Sequence, residues 1–149
     1  MPSYIAGLRE LVGHRPLIVV GATIIVRNAR GEVLLQKRSD TGTWGLPGGA
    51  MEPGESPEQT ARRELWEETG LTAGELRLLD VLAGPELFFV YPNGDQVHTV
   101  IILYEAAEVI GTLGVHDTES LELCHFSLSD LPKLENRARV VLQRAYALS

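Results

Sequence analysis

The sequence is poor in cysteine and in positive charge. Cys124 is the single cysteine among 149 residues, so an intramolecular disulfide and a thiolate cluster for zinc are excluded, and a cytoplasmic location is favoured over a secreted one. The 13 Lys and Arg residues are outnumbered by 20 Asp and Glu, which gives a net charge of −7 and a pI near 5.1. This charge disfavours binding to nucleic-acid polymers, and an anionic substrate would need a cation to mediate its binding.

Long apolar runs and metal-binding histidine pairs are also missing. The longest apolar run, from Leu17 to Val26, is far shorter than the ~20 residues that cross a membrane, and Arg15 and Arg27 bracket it. Its Val and Ile content predicts a buried strand rather than a signal peptide or a membrane anchor. The four histidines include no pair four residues apart, so a histidine zinc site is not expected.

The composition supports one folded domain over residues 1–149. Hydrophobic residues make up 44% of the chain and charged residues 22%, which excludes a disordered or fibrous protein. No repeat, linker or low-complexity segment divides the sequence. Residues 1–13 are predicted to form a helical extension, because Ile5, Leu8 and Leu11 follow helical spacing. This helix could cover the domain's own sheet or a partner, which leaves a homodimer open.

The remaining pattern alternates strands with helices. Strands are predicted at Leu17–Arg27, Glu32–Arg38, Leu76–Ala83, Leu87–Tyr91, Gln96–Glu105 and Leu121–Leu128, a loop or short strand at 44–49, and a closing helix at Arg137–Leu148. Turn residues at 28–31 and 91–95 predict two hairpins. This order predicts an α/β (α+β) fold in which helices pack on the faces of a mixed sheet.

The clearest local signals delimit a central helix, Pro57–Thr69. Ser56 has the side chain of an N-cap, proline follows at the first helical position, and Gln59 completes a capping box. Gly70 stands where a glycine commonly ends a helix in the left-handed conformation. Both ends of this helix are therefore predicted from the sequence.

This helix and the loop before it are rich in carboxylates. Six glutamates lie between residues 49 and 71, opposed by only two arginines. On a helix Glu64 meets Glu67 and Glu68 on one side, where like charges repel unless a cation neutralises them. A solvated helix face is the alternative, but Ala61 and Leu65 form a plausible core seam opposite the carboxylates. The spacing therefore suggests a divalent cation and phosphate chemistry.

The same residues resemble the Nudix box of the MutT-like Nudix hydrolases. The match runs over 49–71: Gly49, five residues, Glu55, seven residues, then Arg63-Glu64-Leu65-Trp66-Glu67-Glu68-Thr69-Gly70-Leu71. Every fixed position of that 23-residue motif is present, and residues 44–49 resemble the lead-in to it. The resemblance implies a Nudix-type α/β/α sandwich with a mixed sheet between helices. It also implies hydrolysis of a nucleoside diphosphate linked to another moiety, by water attack on phosphorus.

The resemblance assigns a metal site for Mg²⁺ or Mn²⁺. Glu67 and Glu68 are expected as metal ligands, and Glu64 as a ligand or as the general base. The carbonyl oxygen of Gly49 is a candidate further ligand. A bound cation would polarise the phosphoryl oxygen and lower the pKa of the attacking water.

The resemblance also assigns supporting residues. Arg63 is expected to orient the catalytic carboxylates by pairing with Glu55, and Gly70 is expected to be structural. A further carboxylate outside the motif often serves as ligand or base in this family. Glu119 is the candidate for that catalytic and metal-binding role, with Glu122 second, and an ordinary surface acid is the alternative for both.

Three residues outside the motif are candidates for substrate binding. Arg38 ends a predicted strand near the glycine loop, where it could contact phosphates or simply be a solvated strand end. Trp44 could stack on a base or anchor the loop by burial. His98 is a further candidate for contact with the substrate.

The sequence leaves the substrate open. An ADP-ribose-like compound and a nucleoside triphosphate are both compatible with the motif, and either would be a small nucleotide rather than a polymer or a membrane component. The alternative function is a nucleotide-binding sensor module of the same family without turnover. Retention of Glu64, Glu67 and Glu68 favours the enzyme.

Overall fold

The computed structural model describes residues 3–114 and 120–148. These residues form helices α1 (Tyr4–Val12), α2 (Pro57–Thr69) and α3 (Asn136–Tyr146), and strands β1 (Leu17–Ile25), β2 (Val33–Arg38), β3 (Trp44–Gly45), β4 (Gly48–Ala50), β5 (Leu71–Leu82), β6 (Phe88–Val90), β7 (Gln96–Gly111) and β8 (Ser120–Phe126). Within these ranges no helix is long and apolar enough to span a membrane.

The strands are arranged in two sheets. The first has the order β4-β1-β7-β5, with β6 also paired to β7, and the second has the order β3-β2-β8. Strands β1 and β7 run parallel, whereas the other pairs are antiparallel. The predicted mixed α+β architecture is confirmed, with its strands divided between two sheets.

The hairpin predicted between the first two strands is only partly formed. Asn28 makes the turn, since its side-chain oxygen accepts hydrogen bonds from the backbone N–H groups of Arg30 and Glu32. Beyond an isolated bridge between Arg27 and Val33 the strands diverge, β1 into the first sheet and β2 into the second. Residues 33–36 of β2 are all buried, so this strand needs cover on both faces, which a simple hairpin would not provide.

Two helices cover the sheets from opposite sides. Ala61 and Leu65 of α2 are fully buried against one face of the first sheet, in a cluster with Ala22 and Ile24. Helix α3 contributes residues 140–142 to a second cluster that also contains side chains of β1, β2 and β7. Successive residues of β1 and β7 therefore face different layers.

The ends of α2 agree with the prediction, whereas the strand after it begins earlier than predicted. Ser56 and Gln59 form the capping box, and Gly70 adopts the left-handed conformation with φ 76°. Strand β5 then starts at Leu71 rather than at Leu76, because the Thr69 hydroxyl accepts a hydrogen bond from the Leu71 N–H and turns the chain directly into the strand. The pairing partner β7 is correspondingly extended to Gly111. The hairpin at 91–95 is confirmed by the β6–β7 pairing.

Candidate active site

Two carboxylates of α2 meet the glycines of β4. The Glu68 side chain is buried, with 6% of the residue exposed, and its Oε2 atom accepts a hydrogen bond of 2.8 Å from the Gly48 N–H. The Glu64 carboxylate lies so close to Gly49 that a Cβ atom at that position would be 2.5 Å from Glu64 Cδ. Glycine at position 49 is therefore what allows helix and strand to bring the carboxylate to this point.

Arg63 donates hydrogen bonds to three of the acidic residues. Its Nε atom donates to Glu55 Oε2 at 2.6 Å, and Nη2 donates to Glu55 Oε1 at 2.9 Å and to the Ala50 carbonyl at 3.1 Å. Its Nη1 atom donates to Glu64 at 2.7 Å and to Glu67 at 3.3 Å. A planar guanidinium with all three nitrogens engaged fixes the direction of its partners. The predicted pairing of Arg63 with Glu55 is present.

The electrostatics of this cluster favour an ionised Glu55. Hydrogen bonds from Arg63 hold the pKa of Glu55 at about 2, against an ordinary value of 4.5, although partial burial acts in the opposite direction. The Glu52 N–H and the Thr60 hydroxyl also donate to this carboxylate. In return, hydrogen bonding to Glu55 raises the pKa of Arg63. The pair is thus charged throughout the range in which an enzyme works.

The lowered pKa of Glu55 predicts a pH-dependent contribution to stability. Because the folded-state pKa lies below the unfolded value, the contribution is complete above pH 4.5 and is lost as the pH falls towards 2. We expect Glu55→Gln to lower the free energy of unfolding by roughly 1–3 kcal/mol at pH 7, and by progressively less below pH 4.5. Urea unfolding of both proteins between pH 7 and pH 2.5 measures this difference. Glu75→Gln, an exposed position on β5, is the control, and a pH-independent difference for Glu55→Gln would contradict the assignment.

A cleft of about 580 Å³ opens beside these carboxylates. Glu64, Glu68 and the glycines of β4 line one part of it. Its floor is formed by alternate residues of β1 and β7, namely Val19, Gly21, Thr23, Val97, Thr99 and Ile101. The cleft is large enough for a nucleotide-sized molecule.

The predicted substrate-binding residues have different environments. Arg38 lines the cleft, and both Nε and Nη2 donate to the carboxylate of Asp40, at 2.9 and 2.7 Å. Trp44 does not line it: the indole packs edge-to-face on Phe126, with ring centroids 4.9 Å apart, at the border of the second apolar cluster. This position corresponds to the alternative in which Trp44 anchors the loop by burial.

The other candidates outside the motif lie away from the cleft or beyond the described residues. His98 is exposed and packs on Phe88, on the face of β7 opposite the cleft-lining Val97. Glu122 is exposed on β8, opposite Lys37 in the sheet register. Glu119 lies outside the described residues, and its role stays a prediction.

The sequence interpretation missed a buried ion pair on the cleft wall. The Arg137 backbone N–H and Nε both donate to Glu135 Oε1, at 3.2 and 2.5 Å, and the Glu135 side chain is only 8% exposed. The guanidinium lies 4.1 Å from the Phe89 ring centroid and 5.4 Å from that of Tyr91. These residues come from two distant segments, so no local pattern in the sequence indicates that they meet.

The oxygen ligands available at this site suit a hard divalent cation that keeps part of its hydration shell. In residues 3–114 and 120–148, no three His, Cys, Asp or Glu side chains form a group that could hold a metal ion by themselves. Mg²⁺ is usually held by one or two carboxylates, with waters and substrate phosphates completing an octahedron. Glu64 and Glu68, one helical turn apart beside Gly48 and Gly49, match that requirement. Glu67 is half exposed and within reach of Arg63.

Comparison with known proteins agrees with the resemblance found in residues 49–71. The sequence pattern of the NUDIX domain matches residues 17–145. A Bacillus subtilis (strain 168) protein named "Putative 8-oxo-dGTP diphosphatase" is 43% identical over 82 residues, covering 51% of this chain and 55% of that protein. An RNA pyrophosphohydrolase of Yersinia pestis (strain Pestoides F) is 42% identical over 67 residues, covering 45% of this chain and 36% of that protein.

A solved structure extends the similarity over most of the fold. The crystal structure of a MutT NUDIX hydrolase from Burkholderia pseudomallei superposes with a TM-score of 0.73 at 31% identity, covering 85% of this chain and 97% of that one. By contrast, the matches to the two curated relatives span about half and about one third of those proteins' lengths.

Proposed function

The chain belongs to the NUDIX domain family, and on that premise we propose that it is a divalent-metal-dependent pyrophosphohydrolase acting on nucleoside triphosphates. The observation that carries the proposal is the carboxylate cluster organised by Arg63 at the edge of a nucleotide-sized cleft. Glu64, Glu67 and Glu68 would hold Mg²⁺ or Mn²⁺, with the Gly49 carbonyl as a further oxygen donor.

The chain's own residues position the reacting groups. In the proposed reaction a water oxygen forms a bond to one phosphorus, and the bridging P–O bond breaks with its electron pair leaving on the departing phosphate. A bound cation would neutralise phosphate charge and lower the pKa of the attacking water. Glu55 and Arg63 keep the carboxylates in place before the substrate arrives, which avoids reorganisation during the reaction. Arg38, on the cleft wall, is proposed to contact the substrate's phosphates.

A nucleoside triphosphate is favoured over an ADP-ribose-like compound by the relatives. The Bacillus subtilis protein is named for 8-oxo-dGTP, and the structural relative at 31% identity is titled a MutT hydrolase. The net charge of −7 disfavours a long RNA substrate, because a polymer would meet net repulsion beyond the cleft. A nucleoside triphosphate is therefore the proposed substrate class.

Product analysis in ¹⁸O-labelled water tests the proposal. The substrates are nucleoside triphosphates including 8-oxo-dGTP, ADP-ribose, and an RNA with a 5′-triphosphate, each with Mg²⁺ or with excess chelator. We expect chelator-sensitive formation of nucleoside monophosphate and pyrophosphate, with ¹⁸O in one product, and faster turnover of the triphosphates than of ADP-ribose. Tight nucleotide binding without turnover of any substrate would instead support the sensor module.

A further inference from the structure

Helix α1 lies outside the segment that matches the NUDIX domain, and core packing does not hold it in place. The match begins at residue 17, whereas α1 ends at Val12. None of the nine residues of α1, all of them described, is buried, and none belongs to either apolar cluster. Ile5 and Leu8 are half-buried, and Leu11 is 81% exposed. The position of this helix therefore has to be explained by other contacts.

Polar contacts fix α1 at both ends. At its start the Tyr4 N–H donates to Glu52 Oε2 at 3.0 Å, in the loop between β4 and α2. Near its end Arg9 donates through Nη1 to the Arg15 carbonyl at 2.5 Å, and through Nη2 to the Gln96 carbonyl at 2.7 Å. The helix thus bridges the loop beside the catalytic carboxylates and the beginning of β7. Because α1 (Tyr4–Val12) is held at both ends and contributes to the lining of the cleft, it is called the strap.

One face of this strap forms part of the cleft wall. Ile5 and Arg9, which are four residues apart and share a face of the helix, line the same cleft as Glu64 and Glu68. The apolar floor residues Val19 and Val97 line it as well. The part of the cleft bounded by α1 therefore combines these aliphatic side chains with the carboxylates of Glu52 and Asp95, which contact α1 and also line the cleft. Aliphatic groups beside acids suit a base or ribose better than a phosphate group.

The guanidinium of Arg9 on α1 already forms hydrogen bonds within the protein. Arg9 binds backbone carbonyls, and its Nε atom lies 3.7 Å from Asp95 Oδ2, which is close enough for charge attraction but too far for a hydrogen bond. This Nε atom and the hydroxyl of Thr99 are buried without a hydrogen-bond partner among the described residues, and both residues line the cleft. Buried polar atoms without hydrogen-bond partners are unfavourable, so these two atoms lower the stability of the fold.

We propose that α1 is a substrate-binding strap that contacts the nucleoside part of the substrate through Ile5, and so contributes to specificity in a reaction performed by the Nudix motif. This inference rests on the proposed function, since it takes the phosphates to lie at Glu64 and Glu68. Ile5 then contacts the base or ribose from one side while Val19 and Val97 contact it from another. Arg9 acts as a positioning residue, because it anchors the helix rather than binding the phosphates.

Kinetics of two matched variants on the same helix test the strap. Ile5→Asn places a neutral polar amide on the cleft face, and Leu11→Asn places the same group on the exposed face. For Ile5→Asn we expect KM for the triphosphate to rise at least tenfold with kcat within threefold of the original protein. Competitive inhibition by dGMP should weaken by a similar factor, whereas inhibition by inorganic pyrophosphate, which has no nucleoside, should not change, because the substitution adds no charge to the cleft. Leu11→Asn should leave all four values within twofold.

A uniform effect would overturn the proposal. If dGMP and pyrophosphate inhibition weakened equally, or if Leu11→Asn matched Ile5→Asn, α1 would be supporting the fold rather than contacting the nucleoside. Hydrogen exchange on the unmodified protein provides a measurement without a variant: dGMP should protect backbone amides of residues 4–12, and pyrophosphate should not. Exchange that dGMP leaves unchanged would contradict the strap even where hydrolysis is normal. Absence of hydrolysis in the original protein would instead count against the proposed function.

Discussion

Replacement of Glu68 by glutamine is expected to lower kcat by roughly 10²–10³-fold, the size of effect seen when one group that stabilises developing charge is removed. Glutamine has nearly the same shape, and its side-chain oxygen can still accept the hydrogen bond that Gly48 donates to Glu68 at 2.8 Å. What it lacks is the negative charge needed to hold a divalent cation in a position where only 6% of the residue is exposed. The loss should therefore appear as a weaker apparent affinity for Mg²⁺ as well as a lower kcat, measured at saturating nucleotide over a Mg²⁺ titration.

A matched control on α2 distinguishes the loss of a charge at the proposed metal site from the loss of a charge elsewhere on the same helix. Glu58 lies in the first turn of α2 and forms an exposed ion pair with Arg62 at 3.0 Å. Glu58→Gln removes one carboxylate from α2 but should leave kcat within twofold, since exposed pairs contribute little. If the Glu68→Gln variant, folded as judged by urea unfolding, kept more than a tenth of the original kcat, the assignment of Glu68 as a metal ligand would be wrong.

The local parts of the site could be predicted because they depend on residues close in sequence. Helix α2, its capping box and its C-terminal glycine follow from side chains within one turn of each end. The Arg63–Glu55 pair is predicted from a motif of fixed spacing, and only seven residues, which include the start of α2, separate the two side chains, so there is little freedom in how they meet. The strand that follows was predicted too short, because its first residues pair with the distant end of β7.

The division into two sheets and the composition of the cleft could not be predicted in the same way. A turn at Asn28 specifies that the chain reverses, but not whether the flanking strands stay paired; burial on both faces of β2 decides that, and burial depends on the whole fold. Likewise Glu135 and Arg137 reach the cleft because α3 packs on strands far away in sequence. For α1 the sequence predicted a helix, and only the contacts of Tyr4 and Arg9 show what it covers.

The second large effect is expected for Gly49→Ala. An alanine Cβ at this position would lie 2.5 Å from Glu64 Cδ and 2.6 and 2.8 Å from its two oxygens, so the carboxylate has to move. Because the crowded atoms are the far end of a flexible side chain, the fold can adjust at little cost, but Glu64 would leave the position in which Arg63 holds it at 2.7 Å. We expect kcat/KM to fall roughly 10²-fold, as for misplacement of a catalytic group by about 1 Å, with the urea midpoint nearly unchanged.

The neighbouring glycine and a double variant distinguish displacement of Glu64 from general damage. At Gly48, with φ 155°, a Cβ would lie 2.2 Å from the Ala22 carbonyl oxygen, which is backbone and cannot move aside, so Gly48→Ala should unfold at clearly lower urea. If Gly49→Ala acts through Glu64, it should cost little further activity in a Glu64→Gln background, since both changes remove the same function. Additive losses in that double variant, or a urea midpoint for Gly49→Ala as low as that for Gly48→Ala, would show that position 49 matters for the fold rather than for the placement of this carboxylate.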